Sequence, residues 1–498
     1  MLREIVLPIM RGLCLLVSSC LLAAVPVGCV SPSREGLPPS SPFRESVVLA
    51  EDRLPQGMAV GDVTAHDAIL WVRTESPASV YVEWAPPSVW EKVALMGTVI
   101  APVSRTKPLV TSAEMDYTLS IPLIGLAPAT RYRYHIMAKH AGDSMDQQPA
   151  RLVAKGEFST LPDAKTSAPI TFAWSGDLGG QGRCRQGSGG YPIFDVMGRQ
   201  RLDFFLFLGD TIYSDSPCPS PPNEPGADFK ATTLAEYRAR HRYQRGAESL
   251  RRFLERVPVY VIWDDHEVRN DFSGPFDPQM PAGRQALLEY WPISTHAGEP
   301  HRLYRSVRYG ADLELFILDT RQYRSRDADP DGPAKTMLGA AQLQWLIEGL
   351  THSSATWKVI ATSVPLSVPK GGTGYSDGWA TGPNGPGFER ERQVLVDAIL
   401  AGKIKNVVFL AGDVHWVQAN AYDPNQDGIV DFHEFVAGPL SARPGRLTPA
   451  SEELHPMRLI NEEGYHNFGL VRITKGAFEV TVVDDGGQPR FSHRLTAQ

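Results

Sequence analysis

The chain has 498 residues, of which 42% are hydrophobic and 21% are charged, and its formal net charge at pH 7 is −7. This length exceeds one ordinary hydrophobic core, so we expect two domains. The negative charge argues against non-specific binding to nucleic acid, and an anionic substrate would need bound cations to offset repulsion.

Residues 1–29 are typical of a secretory signal peptide, because arginines precede an apolar run and small residues follow it. The run is shorter than the ~20 residues of a membrane-spanning helix, which favours a cleaved signal over a transmembrane anchor. Gly28-Cys29 is similar to a bacterial lipoprotein cleavage site, although Pro26 stands where leucine is preferred. We therefore predict an exported protein, periplasmic or at the cell surface, with lipidated Cys29 as a candidate membrane anchor and residues 30–49 as a linker.

Two patterns follow along the chain. Residues 50–162 contain short alternating strands such as AILWVRTE and RYRYHIMA, with no helical pattern of any length, which predicts an all-β immunoglobulin-like or fibronectin-like domain. Residues 168–498 alternate buried strands with amphipathic helices and end in hairpins. This second domain is therefore expected to be α/β, or α+β with mixed sheets.

Four buried strands of the second domain are each followed by polar residues that can bind metals. These residues are Asp177; Asp210 and Tyr213; Asp264, Asp265, His266 and Asn270; and Asp413 and His415. Since the carboxyl ends of such strands meet at one edge of a sheet, we expect one shared metal site. Carboxylate and imidazole suit hard to borderline cations, and a phenolate suggests ferric iron. An Asp here could instead cap a helix, and a Tyr or His could be a hydrogen-bonded core group, but their recurrence favours a metal-dependent hydrolase.

A separate segment, DPNQDGIVDFHE, matches the calcium-loop pattern D-x-[DN]-x-[DN]-G-x5-E. Its candidate ligands are Asp423, Asn425, Asp427, the Ile429 carbonyl, Asp431 and Glu434. The flanks are predicted strands, so a structural Ca²⁺ would join a hairpin. The alternative is an acidic turn that binds nothing.

Cys184 and Cys218 are the cysteines left in the folded body of an exported protein, and one disulfide between them is expected. Alternatively, Cys184 is a thiolate metal ligand, or both cysteines are reduced.

A glycine-rich stretch containing Tyr375 and Trp379 is predicted to be a long loop over the site. Its aromatic residues could contact the alcohol portion of a substrate, or they could pack the loop onto the core.

The ordered stretches GDTIYSD, WDDHEVRNDF, LDTRQYR, LGAAQLQWL and GDVH with EFVAGPLSA resemble the PhoD-type alkaline phosphatases and phosphodiesterases, within the calcineurin-like metallophosphoesterases. The resemblance covers roughly residues 50–495. It implies a two-layer β-sandwich core flanked by helices and a site that binds Fe³⁺ and Ca²⁺ or other divalent ions. The chain departs from the family at Asp177, which stands where these enzymes tend to carry cysteine.

The resemblance also implies a role for each matching residue. Asp210 would bridge two metals, Tyr213 would bind the iron-like ion, and Asn270 the calcium-like ion. Asp413 and His415 would complete the cluster. Asp265 lies where a second-metal ligand is expected. His266 lies where a group near the phosphate is expected, and it either acts on the phosphate or leaving alkoxide or forms a hydrogen bond to Asp265.

We predict from these observations a phosphatase that hydrolyses small phosphomonoesters through attack by a metal-bound hydroxide. Phosphodiester hydrolysis, including phospholipase D-like activity, is the first alternative. A non-catalytic calcium-binding surface lipoprotein is an alternative of another class. Arg321 and Arg324 could contact the phosphate or pair with Asp319. No protein partner is inferred, and contact with a membrane is expected only through the lipid anchor.

Overall fold

The structure is a computed structural model that describes residues 47–50, 53–96, 103–140, 149–187, 189–474 and 476–498. The signal peptide, Cys29 and most of the linker lie outside these residues, so their assignment stays a prediction. Within the described ranges, no helix combines the length and the apolar character needed to span a membrane.

The segment up to residue 162 is built from antiparallel strands whose side chains alternate between buried and exposed. Its strands are β1 (Val47–Val48), β2 (Met58–Gly61), β3 (Asp67–Arg73), β4 (Ala78–Ala85), β5 (Ser104–Arg105), β6 (Leu109–Val110), β7 (Thr118–Ile124), β8 (Arg131–His140) and β9 (Arg151–Ser159). A helix, α1 (Pro87–Met96), and a 3-10 turn (Ala113–Met115) interrupt them. The expectation that no helix lies here is therefore wrong. The Trp90 indole of α1 donates to the Arg133 carbonyl of β8 at 3.2 Å, a long-range contact that local pattern does not reveal.

The rest of the chain alternates strands and helices. Its strands are β10 (Ile170–Ser175), β11 (Phe204–Leu208), β12 (Val259–Ile262), β13 (Arg305–Tyr309), β14 (Leu313–Ile317), β15 (Trp357–Ala361), β16 (Val407–Ala411), β17 (Val417–Tyr422), β18 (Phe432–Val436), β19 (Pro456–Glu462), β20 (Asn467–Thr474), β21 (Ala477–Asp484) and β22 (Pro489–Thr496). Its α-helices are α2 (Ile193–Met197), α3 (Leu234–Arg245), α4 (Glu248–Leu254), α5 (Met280–Tyr290), α6 (Ala340–His352) and α7 (Glu389–Ala401). A 3-10 turn covers Gly274–Phe276.

Two mixed sheets form the core. One has the order β22-β21-β20-β10-β11-β12-β2-β3-β7, and the other has the order β13-β14-β15-β16-β18-β17-β19. Strands β10, β11 and β12 are parallel to one another, as are β14, β15, β16 and β18. Buried side chains of both sheets belong to one hydrophobic cluster, and the Trp174 indole donates to the Ala411 carbonyl across the layers. This confirms the predicted two-layer, mixed-sheet fold with helices outside it.

The N-terminal segment contributes to two sheets. Strands β1, β9, β8, β4, β5 and β6 form a six-stranded sheet of their own. Strands β2, β3 and β7 instead extend the nine-stranded core sheet, with Gly61 of β2 paired in parallel with Val259 of β12. The Trp71 indole of β3 also donates to the Glu289 carbonyl of α5. The proposed division into domains at 50–162 and 168–498 therefore stays a prediction about folding units.

Candidate metal centre

The residues that follow β10, β11 and β16 have an unusual backbone. Asp177, Asp210, Asp413 and His415 all adopt the left-handed conformation, with φ of 65°, 51°, 69° and 63°. For a residue other than glycine, this conformation costs about 1–3 kcal/mol. Residues held in it cluster at functional sites. Each strand therefore ends abruptly, and its polar side chain follows at the edge of the sheet.

These ends bring carboxylates and imidazoles from both core sheets together. Four sets of three buried or partly buried residues each place their ligand atoms within 4.8 Å of one another. The sets are Asp177, Asp210 and His415; Asp210, Asp265 and His266; Asp264, Asp265 and Asp413; and Asp265, Asp271 and Asp377. Because Asp210 and Asp265 each belong to more than one set, the groups form one continuous centre rather than separate sites.

Tyr213 and His415 join this centre through a direct contact. The Tyr213 hydroxyl lies 2.8 Å from His415 Nε2, and His415 Nε2 lies 3.5 Å from Asp177 Oδ1. His415 Nδ1 lies 2.7 Å from the Arg443 carbonyl, which can only accept a hydrogen bond. The proton therefore resides on Nδ1, and Nε2 keeps its lone pair for the Tyr213 hydroxyl or for a cation.

Burial and mutual repulsion make the centre costly in the absence of positive charge. Burial raises the pKa of Asp210 well above its ordinary value, and Asp265 and Asp264 raise it further. Burial likewise raises the pKa of Asp264 to about 6, although Arg321 opposes this. Asp177 Oδ2 and Asp265 Oδ1 are buried and have no hydrogen-bond partner within the described residues. Such orphaned carboxylate oxygens fit cations, which would supply the missing partner and offset the repulsion.

His266 and Asn270 lie at the edge of the centre. The His266 backbone N–H donates to Asp210 Oδ1 at 3.1 Å, and its Nδ1 lies 2.6 Å from Asp215 Oδ1. The suggested side-chain hydrogen bond to Asp265 is thus replaced by one to Asp215. Burial lowers the pKa of His266, but Asp265 and Asp215 together raise it to about 9. Asn270 is exposed, and its backbone N–H donates to Asp215, so the structure leaves its side chain outside the buried cluster.

Sequence reasoning missed several residues that support the centre. The Glu267 carboxylate accepts hydrogen bonds from the backbone N–H groups of Asp210, Thr211 and Asp264 and from the Thr211 hydroxyl. It therefore holds together the loops that follow β11 and β12. Glu267 lies in the stretch WDDHE beyond the end of β12, where local pattern does not distinguish a carboxylate that accepts from backbone N–H groups from one that binds a metal.

The two arginines are structural partners of acidic side chains. Arg321 donates to Asp264 Oδ1 at 2.5 Å and to both oxygens of Asp377 at 2.6 and 2.8 Å, and it is fully buried. Arg324 contacts Asp377 and Asp327. The structural interpretation is thus the one observed, but the ion-pair partners differ from the expected Asp319.

The glycine-rich loop between β15 and α7 contacts the acidic centre through two of its side chains. Its Tyr375 hydroxyl donates to Asp271 Oδ2 at 2.7 Å, and Lys370 donates to the carbonyl and carboxylate of Asp413 at 2.6 and 3.0 Å. Trp379 is buried in a hydrophobic cluster beneath the loop. Trp379 therefore packs the loop onto the core, whereas Tyr375 contacts the acidic centre.

Cys184 and Cys218 form a disulfide with a Cα–Cα distance of 6.0 Å. It joins the loop after β10 to the loop after β11, which carry Asp177 and Asp210. Since neither sulfur is a free thiolate, Cys184 is not placed as a metal ligand.

The calcium-loop residues are only partly together. Asp423 accepts hydrogen bonds from the backbone N–H groups of Asp427 and Gly428. Glu434 is buried in β18, where its carboxylate accepts from the Leu366 N–H and the Tyr422 hydroxyl at 2.6 Å each. This placement corrects the expectation that Glu434 completes the loop. The other candidates, Asn425, Asp427, Ile429 and Asp431, lie in the exposed turn or at its end.

Comparisons with known proteins agree with the motifs. Two family models match, "PhoD-like phosphatase" over residues 172–482 and "PhoD-like phosphatase, N-terminal domain" over residues 41–162. Alkaline phosphatase D of Bacillus subtilis (strain 168) is 28% identical over 404 residues, which are 72% of this chain and 64% of the relative, so the match spans less than two thirds of the relative's length. A solved structure described as that of PhoD aligns with a TM-score of 0.68 and 22% identity over 90% of this chain and 92% of its own. The resemblance deduced from the motifs is thereby confirmed.

Proposed function

This chain belongs to the PhoD-like phosphatase family, and from that premise we propose that it is an exported, metal-dependent phosphatase that hydrolyses small phosphomonoesters. The observation that carries the proposal is the buried centre of carboxylates at the ends of strands from two sheets, where Asp177 Oδ2 and Asp265 Oδ1 accept no hydrogen bond from any described residue. Arg321 and Lys370 offset part of the negative charge of this cluster, but neither donates a hydrogen bond to these two oxygens, and bound cations would supply that missing partner.

Asp177, Asp210, Tyr213, Asp413 and His415 are the proposed ligands, with Asp265 beside them. Asp210 belongs to two of the sets of converging ligand atoms, which supports its role as the ligand shared by two cations. Cations bound here would neutralise phosphate oxygens and lower the pKa of a water molecule that attacks phosphorus. Fe³⁺ and Ca²⁺ are the proposed ions, since the Tyr213 hydroxyl would bind Fe³⁺ as a phenolate and most other ligands are carboxylates.

His266 is the proposed group that stabilises the transferring phosphate or protonates the leaving alkoxide. Its Nδ1 is held by Asp215, and its ring stacks on Tyr213 with centroids 4.1 Å apart. Two partners thus fix the orientation of the imidazole, and Nε2 remains for the substrate. In the metal-free protein, Asp265 and Asp215 raise the pKa of His266 to about 9, which favours the protonated ring that donation to a phosphate oxygen requires.

Asp210→Asn is the direct test. We expect turnover of p-nitrophenyl phosphate to disappear and the melting temperature of the metal-free protein to stay the same or rise, because the substitution removes a repelled carboxylate. Asp228→Asn, the same change at an exposed loop position, is the matched control. Turnover by Asp210→Asn at the control's rate would exclude the bridging role.

The same preparation distinguishes the alternatives. A rate with bis-p-nitrophenyl phosphate above that with the monoester would favour a phosphodiesterase. No turnover of either ester, with calcium as the only bound metal, would favour the non-catalytic surface lipoprotein. Mass spectrometry of the mature N-terminus tests export, because cleavage before a lipidated Cys29 leaves a distinct product.

A further inference from the structure

A cavity beside the metal centre carries charge of the opposite sign to the centre. It has a volume of about 570 Å³, and His415 is one of its lining residues. Three other lining side chains, Lys370, Arg443 and Arg446, are cationic, and no carboxylate lines the cavity among the described residues. In a chain with a net charge of −7, such a segregated group of cations is suited to an anion.

The segment that carries the two arginines is held against His415. The Arg443 carbonyl lies 2.7 Å from His415 Nδ1, and the Gly445 N–H donates to the His415 carbonyl at 2.8 Å. The arginines therefore sit on backbone that is bonded to a proposed metal ligand. A ligand that spans the centre and the cavity would meet a preformed pair of sites.

The arginine side chains have donors available for such a ligand. Both are exposed, and Arg443 makes one hydrogen bond, from Nη2 to the Gln181 carbonyl at 3.4 Å. Arg446 makes no hydrogen bond or ion pair with any residue of the described ranges. Lys370 differs, because its ammonium group is already bonded to Asp413. Guanidinium groups bind phosphate through paired N–H donors, so the arginines are the recognition elements.

We propose that this cavity binds a second phosphate group of the substrate, with the scissile phosphate at the metal centre. The proposal rests on the proposed phosphatase function and adds a substrate class to it. This class consists of bisphosphates, in which a second hydroxyl of the same alcohol molecule carries another phosphate. Arg443 and Arg446 are the residues that confer the preference.

The experiment compares α,ω-alkanediol bisphosphates of increasing length with the corresponding monophosphates, by release of inorganic phosphate from the metal-loaded protein. We expect kcat/KM for one length of bisphosphate to exceed that for its monophosphate. Arg446→Gln should lower the bisphosphate value roughly tenfold and leave the monophosphate value within about twofold, because a charged hydrogen bond is lost only with the second phosphate. Arg443→Gln should act in the same direction, since its backbone carbonyl is unchanged.

Arg472→Gln is the matched control, because Arg472 is an exposed arginine paired with Thr171 at the opposite end of β10 from Asp177. Equal effects of Arg446→Gln on both substrate types, or no effect on either, would overturn the proposal. If monophosphates are hydrolysed and bisphosphates are not preferred, the proposal of a second phosphate site is wrong and the phosphatase function stands. If no ester is hydrolysed, both the phosphatase function and the second site are wrong. Melting temperatures of the variants check that they fold.

Discussion

Gly180 packs directly against the ring of Tyr213, so a substitution there tests how Tyr213 is positioned. A methyl group added to Gly180 would lie less than 3.0 Å from three ring carbons of Tyr213, beginning with Cγ, where the ring cannot swing aside. Ordinary carbon–carbon contact requires about 3.5–4.0 Å. Gly180→Ala must therefore displace the ring or the loop after β10 by more than about 1 Å. Tyr213 is fully buried, so its neighbours must move as well.

The displacement has two measurable consequences. Overpacking of this kind costs about 1–3 kcal/mol of unfolding free energy. Moving the Tyr213 hydroxyl away from His415 Nε2 by such a distance should also lower kcat/KM by roughly 100-fold, as misplacement of about 1 Å does in other active sites. The assays are steady-state hydrolysis of p-nitrophenyl phosphate and urea unfolding, each with and without added divalent cations.

Gly189→Ala provides the matched control in the same loop. A methyl group there meets nothing within 4 Å, and neither glycine adopts the left-handed conformation, so the two variants differ in steric contact alone. We expect Gly189→Ala to retain the original rate. Equal kcat/KM for the two alanine variants would refute the reasoning that close packing on Tyr213 positions the centre.

Two further predictions concern stability. The chelated protein should lose unfolding free energy as pH rises from about 4 to about 7, because burial raises the folded-state pKa of Asp264 to about 6 and of Glu267 to about 7 above their ordinary values, so the folded state binds more protons. Saturating divalent cation should flatten this dependence, and a stability that rises with pH in the chelated protein would contradict the electrostatic account. Replacing Cys184 and Cys218 with serine should cost about 3–4 kcal/mol by the chain-entropy model, since the disulfide spans 34 residues, and unchanged urea midpoints would contradict that value.

The sequence by itself determined the strands and the polar residues that follow them. Runs such as FFLFL and VVFLA are buried on both faces in the structure, because every side chain of such a run is apolar and is stabilised by removal from water. The Gly-Asp pairs that follow identified Asp210 and Asp413 for the same reason, since a charged side chain directly after such a run lies at the edge of a sheet. The helices α6 and α7 also follow from local periodicity.

Only the tertiary structure decided which groups meet across that edge. Arg321 pairs with Asp377, and Glu267 accepts from the loop after β11, although the partners are distant in sequence. Glu434 lies inside β18 and accepts from Leu366 instead of completing the calcium loop. The extension of the core sheet by β2, β3 and β7 is likewise a pairing between remote segments. Local pattern tells whether a side chain is buried, but the partner that makes its burial favourable is set by how the sheets and loops pack.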